Sequence, residues 1–292
     1  MQDVYQIDKT RMRQSFHRAA KQYDAAAILQ RQVREEMLSR LEVVKLAPAV
    51  ILDAGCGTGH GLHALLNHFK QAKGVALDIA EGMLARTKTL FPWYRFWQAQ
   101  PQLVCADIEA MPLATASVDM VWSSLAVQWC NDMDTVLQEF RRVLKPNGLL
   151  MFATLGPDTL KELRAASGNG HTHVSRFIDM HDIGDALTRA GFSAPVLDVM
   201  HYTLTYDTVE SVMRDLKAIG AHNATAGRAK GLSGKGFLQQ LRQGYEAFRH
   251  QGKLPATYEV VFVHAWTGSQ PYTPPGTSPV QFMARKTATQ EA

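Results

Sequence analysis

The residues of this chain that could do chemistry fall at three places: a turn reading Asp53-Ala54-Gly55-Cys56-Gly57-Thr58-Gly59, then Asp78 nineteen positions past Gly59, then Asp107. Glycines at alternate positions let a backbone approach a ligand closely, because no Cβ stands in the way. What the turn lacks narrows the ligand. A pyrophosphate-binding G-x-G-x-x-G needs glycine at 60 counted from Gly55, or at 62 counted from Gly57, and these positions hold His60 and Leu62. No G-x-x-x-x-G-K-S/T occurs, so a phosphate-cradling loop is excluded as well. The turn suits a ligand with a carboxylate-bearing amino-acid tail and no phosphates. Asp78 stands where a carboxylate reaches two ribose hydroxyls. Asp107, acceptor-only when ionised, suits an exocyclic adenine amine. Taken singly, each Asp would also serve as a helix cap; in order, at three successive strand ends, they specify a nucleoside.

The elements that must position these groups follow from the pattern. A buried apolar run, Ala49 to Leu52, precedes the turn, and a helix from His63 to Phe69 follows it. The alternation continues with strand Gly74 to Asp78, helix Glu81 to Leu90, strands Leu103 to Asp107 and Val118 to Ser124, helix Met133 to Leu144 and strand Gly148 to Ala153. Such alternation predicts an α/β fold, a parallel sheet with helices on both faces. Lys145-Pro146-Asn147-Gly148 stops one element and opens the next. Ahead of the first strand, apolar residues at helical spacing from Gln14 to Lys45 predict two helices broken near Tyr23-Asp24. Beyond Leu155 a helix is expected over Asp179 to Ala190, strands over Pro195 to Tyr206 and Tyr258 to Trp266, and a short end strand over Val280 to Ala284 after the proline-rich Pro271 to Pro279. Helices Val209 to Ile219 and Phe237 to Arg249 are inserted between the two late strands, where they can cover the ligand crevice at the carboxyl ends of the sheet. The expected organisation is N-terminal helices over 1–47, a binding core over 48–206, a helical insertion over 207–252 and final strands over 253–292.

Composition bounds the partners. With 46% hydrophobic and 20% charged residues the chain can bury a substantial core, which excludes a disordered tail or a disulfide miniprotein. A net charge of +4 is too mild to make nucleic acid the main partner. The three cysteines, Cys56, Cys105 and Cys130, are far apart, with no CxxC, so neither a disulfide framework nor a metal site is expected. His171 and His173 stand in a Gly-rich loop with no further ligand at metal spacing, and Trp93, Tyr94, Phe96 and Trp97 read as a packed connection rather than a base-stacking surface. No apolar run of membrane-spanning length occurs, and Met1 to Arg13 is polar and unlike a targeting extension. A cytoplasmic protein with no membrane partner is expected; the pattern leaves the oligomeric state open and is compatible with a monomer.

The stretch Ile51 to Ala153, with Leu52-Asp53-Ala54-Gly55-Cys56-Gly57-Thr58-Gly59, Leu77-Asp78, Ala106-Asp107-Ile108-Glu109-Ala110-Met111-Pro112 and Phe140 to Gly148, resembles the S-adenosylmethionine-dependent methyltransferases of the Rossmann-like class. That resemblance implies a seven-stranded, mostly parallel sheet whose last strand is antiparallel. It also implies that Asp53, Gly55, Cys56, Gly57 and Gly59 lie against the methionine part of the cofactor. Asp78 and Ile79 would hold its ribose, Asp107 and Ile108 its adenine, and Leu125 and Ala126 its fourth-strand side.

Over nearly the whole chain a finer likeness holds. Arg13-x-x-Phe16-x-x-Ala19-Ala20-x-x-Tyr23-Asp24, Ser124 to Cys130, Gly156-Pro157-Asp158-Thr159-Leu160-x-Glu162-Leu163 and Leu216-Lys217-x-Ile219-Gly220-Ala221-His222-Asn223 are similar to the malonyl-acyl carrier protein O-methyltransferases of early biotin synthesis. The implied reaction esterifies the free carboxyl of a malonyl thioester. A carboxylate is already deprotonated at pH 7, so no catalytic base is required; the site must orient it and exclude water. An arginine could hold one carboxylate oxygen and leave the other to attack. Arg214, Lys217, His222 and Asn223 of the insertion, with Tyr23, Gln128 and Trp129, are the candidates. The implied partner is an acyl carrier protein, typically acidic, and Arg228, Lys230, Lys235, Arg242 and Arg249 form a basic docking candidate. Two alternatives stay open: a carboxyl methyltransferase acting on a small aconitate-like acid, and a protein modifier similar to an assembly factor of complex I. A nucleic-acid methyltransferase is disfavoured, because Ser123 to Gln128 carries no Asn/Asp-Pro-Pro-Tyr/Phe element.

Overall fold

In the computed structural model, which describes residues 6–92, 100–167, 177–219, 235–270 and 272, three helices precede the sheet: α1 (Lys9–Ala19), α2 (Tyr23–Ala26) and α3 (Ile28–Leu41). The Asp8 carboxylate accepts from Arg11 N and caps α1. The expected break at Tyr23-Asp24 is instead a separate turn of helix, α2. Then come β1 (Val50–Ala54), α4 (His60–His68), β2 (Lys73–Asp78), α5 (Glu81–Leu90), β3 (Gln102–Cys105) and β4 (Val118–Ser124). A 3-10 turn over Val127–Trp129 leads to α6 (Met133–Val143) and β5 (Leu144–Leu155). The second half holds α7 (Lys161–Ser167), α8 (Met180–Arg189), β6 (Phe192–Tyr206), α9 (Val209–Ala218), α10 (Lys235–Glu246) and β7 (Leu254–Thr267).

The seven strands form one sheet in the order β3-β2-β1-β4-β5-β7-β6. The pairs among β1 to β5 are parallel, and β7 runs antiparallel to both β5 and β6. Successive residues feed opposite cores, as the pleat demands. Ile51, Met120, Met151 and Phe262 join Val33 and Met37 of α3 and Leu62 and Leu65 of α4. Leu52, Val121, Phe152 and Val263 join Val136 and Phe140 of α6 and Ile183 and Leu187 of α8. The strands are apolar on both faces because helices cover both.

The differences from expectation have local causes. Helix α4 starts at His60, three residues early, because Gly59 at φ 84° serves as its N-cap. Asp107 lies two residues beyond the end of β3 rather than at it. The Lys145 to Gly148 turn is tight enough that Leu144 already pairs with Val118; Asn147 takes φ 59° and Gly148 N donates to Thr267 Oγ1 at 2.8 Å. Helix α7 was not foreseen. The strand at 280–284, most of the proline-rich loop, the aromatic cluster at 93–97 and His171 with His173 lie outside the described residues.

Candidate functional site

The chain leaves β1 toward β2 and β3, then returns to β4 on the other side of β1, so the sheet order reverses between β1 and β4. In open α/β sheets that reversal opens a crevice at the carboxyl ends of the strands. The glycine turn lies there. Gly55 N and Cys56 N donate to Leu77 O at 2.8 and 2.9 Å, which folds the turn over the end of β2. Gly55, Gly57 and Gly59 all take positive φ, at 79°, 54° and 84°. A Cβ on Gly55 would stand 2.2 Å from Ala126 Cβ, and one on Gly59 2.5 Å from Thr87 Cγ2. One on Gly57 would meet nothing within 4 Å. Two glycines thus permit close packing, whereas the third borders open space.

Two buried carboxylates stand behind the turn. Asp78 accepts from Gly57 N through Oδ2 at 2.9 Å and from Ala80 N through Oδ1 at 2.8 Å. Burial pushes its pKa up to about 6, against the pull of those two bonds. Asp53 is pushed up to about 7, by burial first and by the charge of Asp78, while an N–H from Leu62 opposes the shift. Its Oδ2 and Trp122 Nε1 are buried without hydrogen-bond partners, and a Cβ on Gly61 would come within 3.1 and 3.2 Å of them.

The crevice encloses about 1300 Å³, its open part included. Of the residues expected to hold cofactor, Gly55, Gly57, Asp78, Ile79, Asp107, Ile108, Leu125 and Ala126 line it. Asp53, Cys56 and Gly59 do not; all three are buried behind the turn, with Cys56 Sγ beside Thr87 Oγ1 and its thiol pushed up by burial. Asp107 is already engaged: its Oδ1 accepts from Lys9 Nζ at 3.0 Å and Glu109 N at 3.1 Å. Leu125, at φ 52°, is a left-handed non-glycine residue on the lining, and Leu160, at φ 55°, is another. Such conformations persist only where neighbours enforce them. Leu125 N donates to Ala153 O at 2.9 Å and its carbonyl accepts from Gln128 Nε2 at 2.8 Å.

Of the acceptor candidates, Tyr23, Gln128 and Trp129 line the crevice. Gln128 donates through Nε2 to Leu125 O and accepts at Oε1 from Thr154 Oγ1 at 3.4 Å, so its amide braces the Leu125 turn. Arg214 and Lys217 are exposed and off the lining, because α9 turns Leu216 and Ile219 to the crevice instead. His222 and Asn223 lie outside the described residues, as do Arg228 and Lys230. Sequence reasoning did not single out Lys9 or Gln30, both on the lining. Gln30 Oε1 is buried with no partner. Its only sequence signal is a polar residue beside the apolar stripe Leu29, Val33, Met37 of α3. Tyr23 stays protonated well past neutrality: burial raises its pKa, and the charges of Asp78 and Asp24 add to it. Asp158, His201 and Glu259 bring ligand atoms within 4.8 Å of one another, but none of them lines the crevice.

Comparison with known proteins identifies the fold and the family. The family described as "Methyltransferase domain" matches residues 52–152, which run from β1 through β5. The malonyl-acyl carrier protein O-methyltransferase of Methylovorus sp. (strain MP688) is 62% identical over 288 residues, 97% of each chain. The chain belongs to that family. Its likeness to the family's member from Laribacter hongkongensis is 56% identity over 272 residues, covering 91% of this chain and 92% of the other. Among solved structures, the YcgJ protein of Bacillus subtilis superposes with a TM-score of 0.58 at 13% identity, over 80% of this chain and 98% of that one. A phosphoethanolamine N-methyltransferase of Haemonchus contortus, in complex with S-adenosyl-L-methionine, gives 0.51 at 17% identity, over 85% and 56%. The structural likenesses establish the class I methyltransferase fold, and the sequence likenesses establish the family within it.

Proposed function

We infer that this chain transfers a methyl group from S-adenosylmethionine to the free carboxylate of a malonyl thioester borne on an acyl carrier protein, giving the methyl ester that primes biotin-precursor synthesis. The observation that carries the cofactor half is the open space at Gly57, flanked by Asp78 and by the Gly55–Ala126 contact at the sheet's point of reversal. Gly55 and Gly57 would hold the amino-acid tail, Asp78 and Ile79 the ribose, and Asp107 and Ile108 the adenine. The bound cofactor supplies an electrophilic methyl on a sulfonium.

The chain's own residues do the rest. Leu155, Leu160, Leu163, Phe177, Leu216 and Tyr258 line the crevice with largely apolar surface, which excludes water and strengthens the few polar contacts within it. Tyr23, kept neutral by burial, is a hydroxyl donor for one acceptor oxygen, and Gln30 offers a second polar group nearby. The other oxygen, ionised at pH 7, is left to attack. The helices of the interval 207–252 act as a lid through Leu216 and Ile219, and the N-terminal helices continue that cover through Met12, Phe16 and Tyr23. No helix among the described residues is long and apolar enough to cross a membrane, and we place the enzyme in the cytoplasm.

The test is incubation with S-adenosylmethionine and malonyl-carrier protein, read by mass spectrometry of the carrier. A methyl ester is expected, with free malonate and malonyl-coenzyme A reacting more slowly. An unmodified carrier, at enzyme concentrations that bind cofactor fully, would reject the acceptor. A faster reaction on a small tricarboxylic acid would favour the carrier-free alternative.

A further inference from the structure

We propose that the outer face of α1 is the surface on which the acidic carrier of the acceptor docks; this rests on the acceptor reading above and replaces the lid as the docking candidate. Between Lys9 and Lys21 the sequence holds five cations, Lys9, Arg11, Arg13, Arg18 and Lys21, and no Asp or Glu. Helical geometry divides them. Met12 and Phe16 face inward and Lys9 reaches Asp107 and Glu109, so one side of the helix walls the crevice. Arg13, Arg18 and Lys21 are exposed and Arg11 is partly so. None of these four has an ion-pair partner among the described residues.

The carboxylates nearby do not cancel this charge. Asp8 is spent on capping α1. Asp24 is turned to Thr58 Oγ1 at 2.6 Å and faces His60 and Arg86. Glu81, in the first turn of α5 next to Gly82, whose N–H donates to His17, is a carboxylate that remains beside the helix. The lid is different. Arg242 pairs with Glu210 and Arg249 with Glu246, as Lys253 beside the lid does with Asp207, which leaves Arg214 and Lys217 as the lid's exposed cations without an ion pair among the described residues. Unpaired positive charge is therefore denser over α1 and the turn after it, where Arg11, Arg13, Arg18 and Lys21 stand, than over the lid, where Arg214 and Lys217 do.

Position and rigidity agree with charge. A carrier seated on the outer face is one helix away from the crevice that the inner face lines, within reach of a flexible thioester arm. The helix is a fixed platform: Ile7 exchanges two hydrogen bonds with Asn131, at 2.7 and 3.2 Å, Gly82 N donates to His17 Nδ1 at 3.1 Å, and Phe16 packs edge-on against Trp129 at 5.2 Å. Complementary charge of this kind acts on encounter rate and on salt dependence.

The experiment compares two charge reversals, Arg11→Glu/Arg18→Glu/Lys21→Glu on α1 and Arg242→Glu/Arg249→Glu on the lid, with the unaltered chain. Binding of fluorescently labelled holo-carrier protein is followed by anisotropy at low and high salt, without turnover. The α1 variant is expected to lose at least tenfold in carrier affinity and most of the salt dependence, while the lid variant changes less than threefold. In turnover, the α1 variant should raise KM for malonyl-carrier protein tenfold or more, with kcat unchanged and the rate on malonyl-coenzyme A unchanged. Unaltered affinity for adenosylhomocysteine verifies that the fold is intact. Equal carrier affinity of the α1 variant and the unaltered chain overturns the proposal, as does a larger loss in the lid variant. Binding of a duplex oligonucleotide with none of the carrier would assign the face to nucleic acid and overturn it too. Absence of methyl ester on the carrier defeats the acceptor reading separately, because anisotropy reads docking without chemistry.

Discussion

The two sides of the crevice are made of different materials. On the strand side the wall is a turn fixed through its main chain: the Gly55 and Cys56 amides bond Leu77 O, and the Asp78 carboxylate accepts from Gly57 N and Ala80 N. On the helix side, α1, α2, α3, α7 and α9 offer mostly side chains, Phe16, Leu29, Leu163 and Leu216 among them, with Tyr23 and Gln30 as isolated polar points. A site fixed by main chain tolerates almost no change of shape. One lined by side chains can be re-lined to take a different acceptor while the strand side stays as it is.

The largest effect should come from Gly55→Ala, which forces a Cβ to 2.2 Å from Ala126 Cβ at φ 79°. Overpacking and left-handed strain together cost about 2–5 kcal/mol, visible in urea denaturation, and adenosylhomocysteine binding should vanish in calorimetry. Gly57→Ala, with no such clash, should cost only about 1–2 kcal/mol. Equal losses at the two positions would erase the distinction between packing and open space. Next, Asp78→Ala removes a charged hydrogen-bonding group worth about 1.5–3 kcal/mol, roughly ten- to hundredfold in affinity for adenosylhomocysteine; unchanged affinity would remove Asp78 from the ribose.

On the helix side the effects should be smaller. Tyr23→Phe is expected to raise KM for the acceptor about two- to tenfold, the range of one ordinary hydrogen bond, with cofactor affinity nearly unchanged. A fall in cofactor affinity alone would move Tyr23 to the other side of the crevice.

The pH dependence has two signs. The raised pKa values of Asp53, about 7, and Asp78, about 6, mean that the folded chain holds protons which the unfolded chain has released above pH 4. Their contribution to stability is therefore complete below that range and is lost as pH rises through 6 and 7. An ammonium-bearing ligand at the turn favours the ionised carboxylates, so adenosylhomocysteine affinity should rise over the same window, by less than tenfold. Thermal denaturation with and without ligand at pH 5.5 and 7.5 checks both; a ligand-induced shift larger at the lower pH would contradict the placement. Smallest of all, Arg214→Ala should change KM for the acceptor less than twofold, because its side chain is exposed and off the lining. A tenfold change would show that α9 turns in solution.

The strand side was the legible part. Asp53 to Gly59, Asp78 and Asp107 are close in sequence to strand ends, and hydrophobic runs locate strand ends. The helix side was legible only where a motif named it. Arg214 and Lys217 were chosen for chemistry and lie outward, since α9 presents Leu216 and Ile219, the apolar members of the same turn. Lys9 carried no signal and Gln30 only a weak one, because nothing local indicates that α1 meets the loop after β3 or that α3 borders the crevice. The basic stretch of α1 was visible as composition, but its lack of compensating carboxylates was not.

By itself, the sequence determined the alternation of strand and helix, the glycine turn and the carboxylates placed at or just past the strand ends, since these depend on local periodicity and on conformations that favour glycine. Only the tertiary structure decided that Asp53 and Cys56 stand behind the turn, that Gln128 braces Leu125, and which cations are paired. Those outcomes depend on contacts between residues tens or hundreds of positions apart, and burial and charge compensation are properties of that packing rather than of any segment within it.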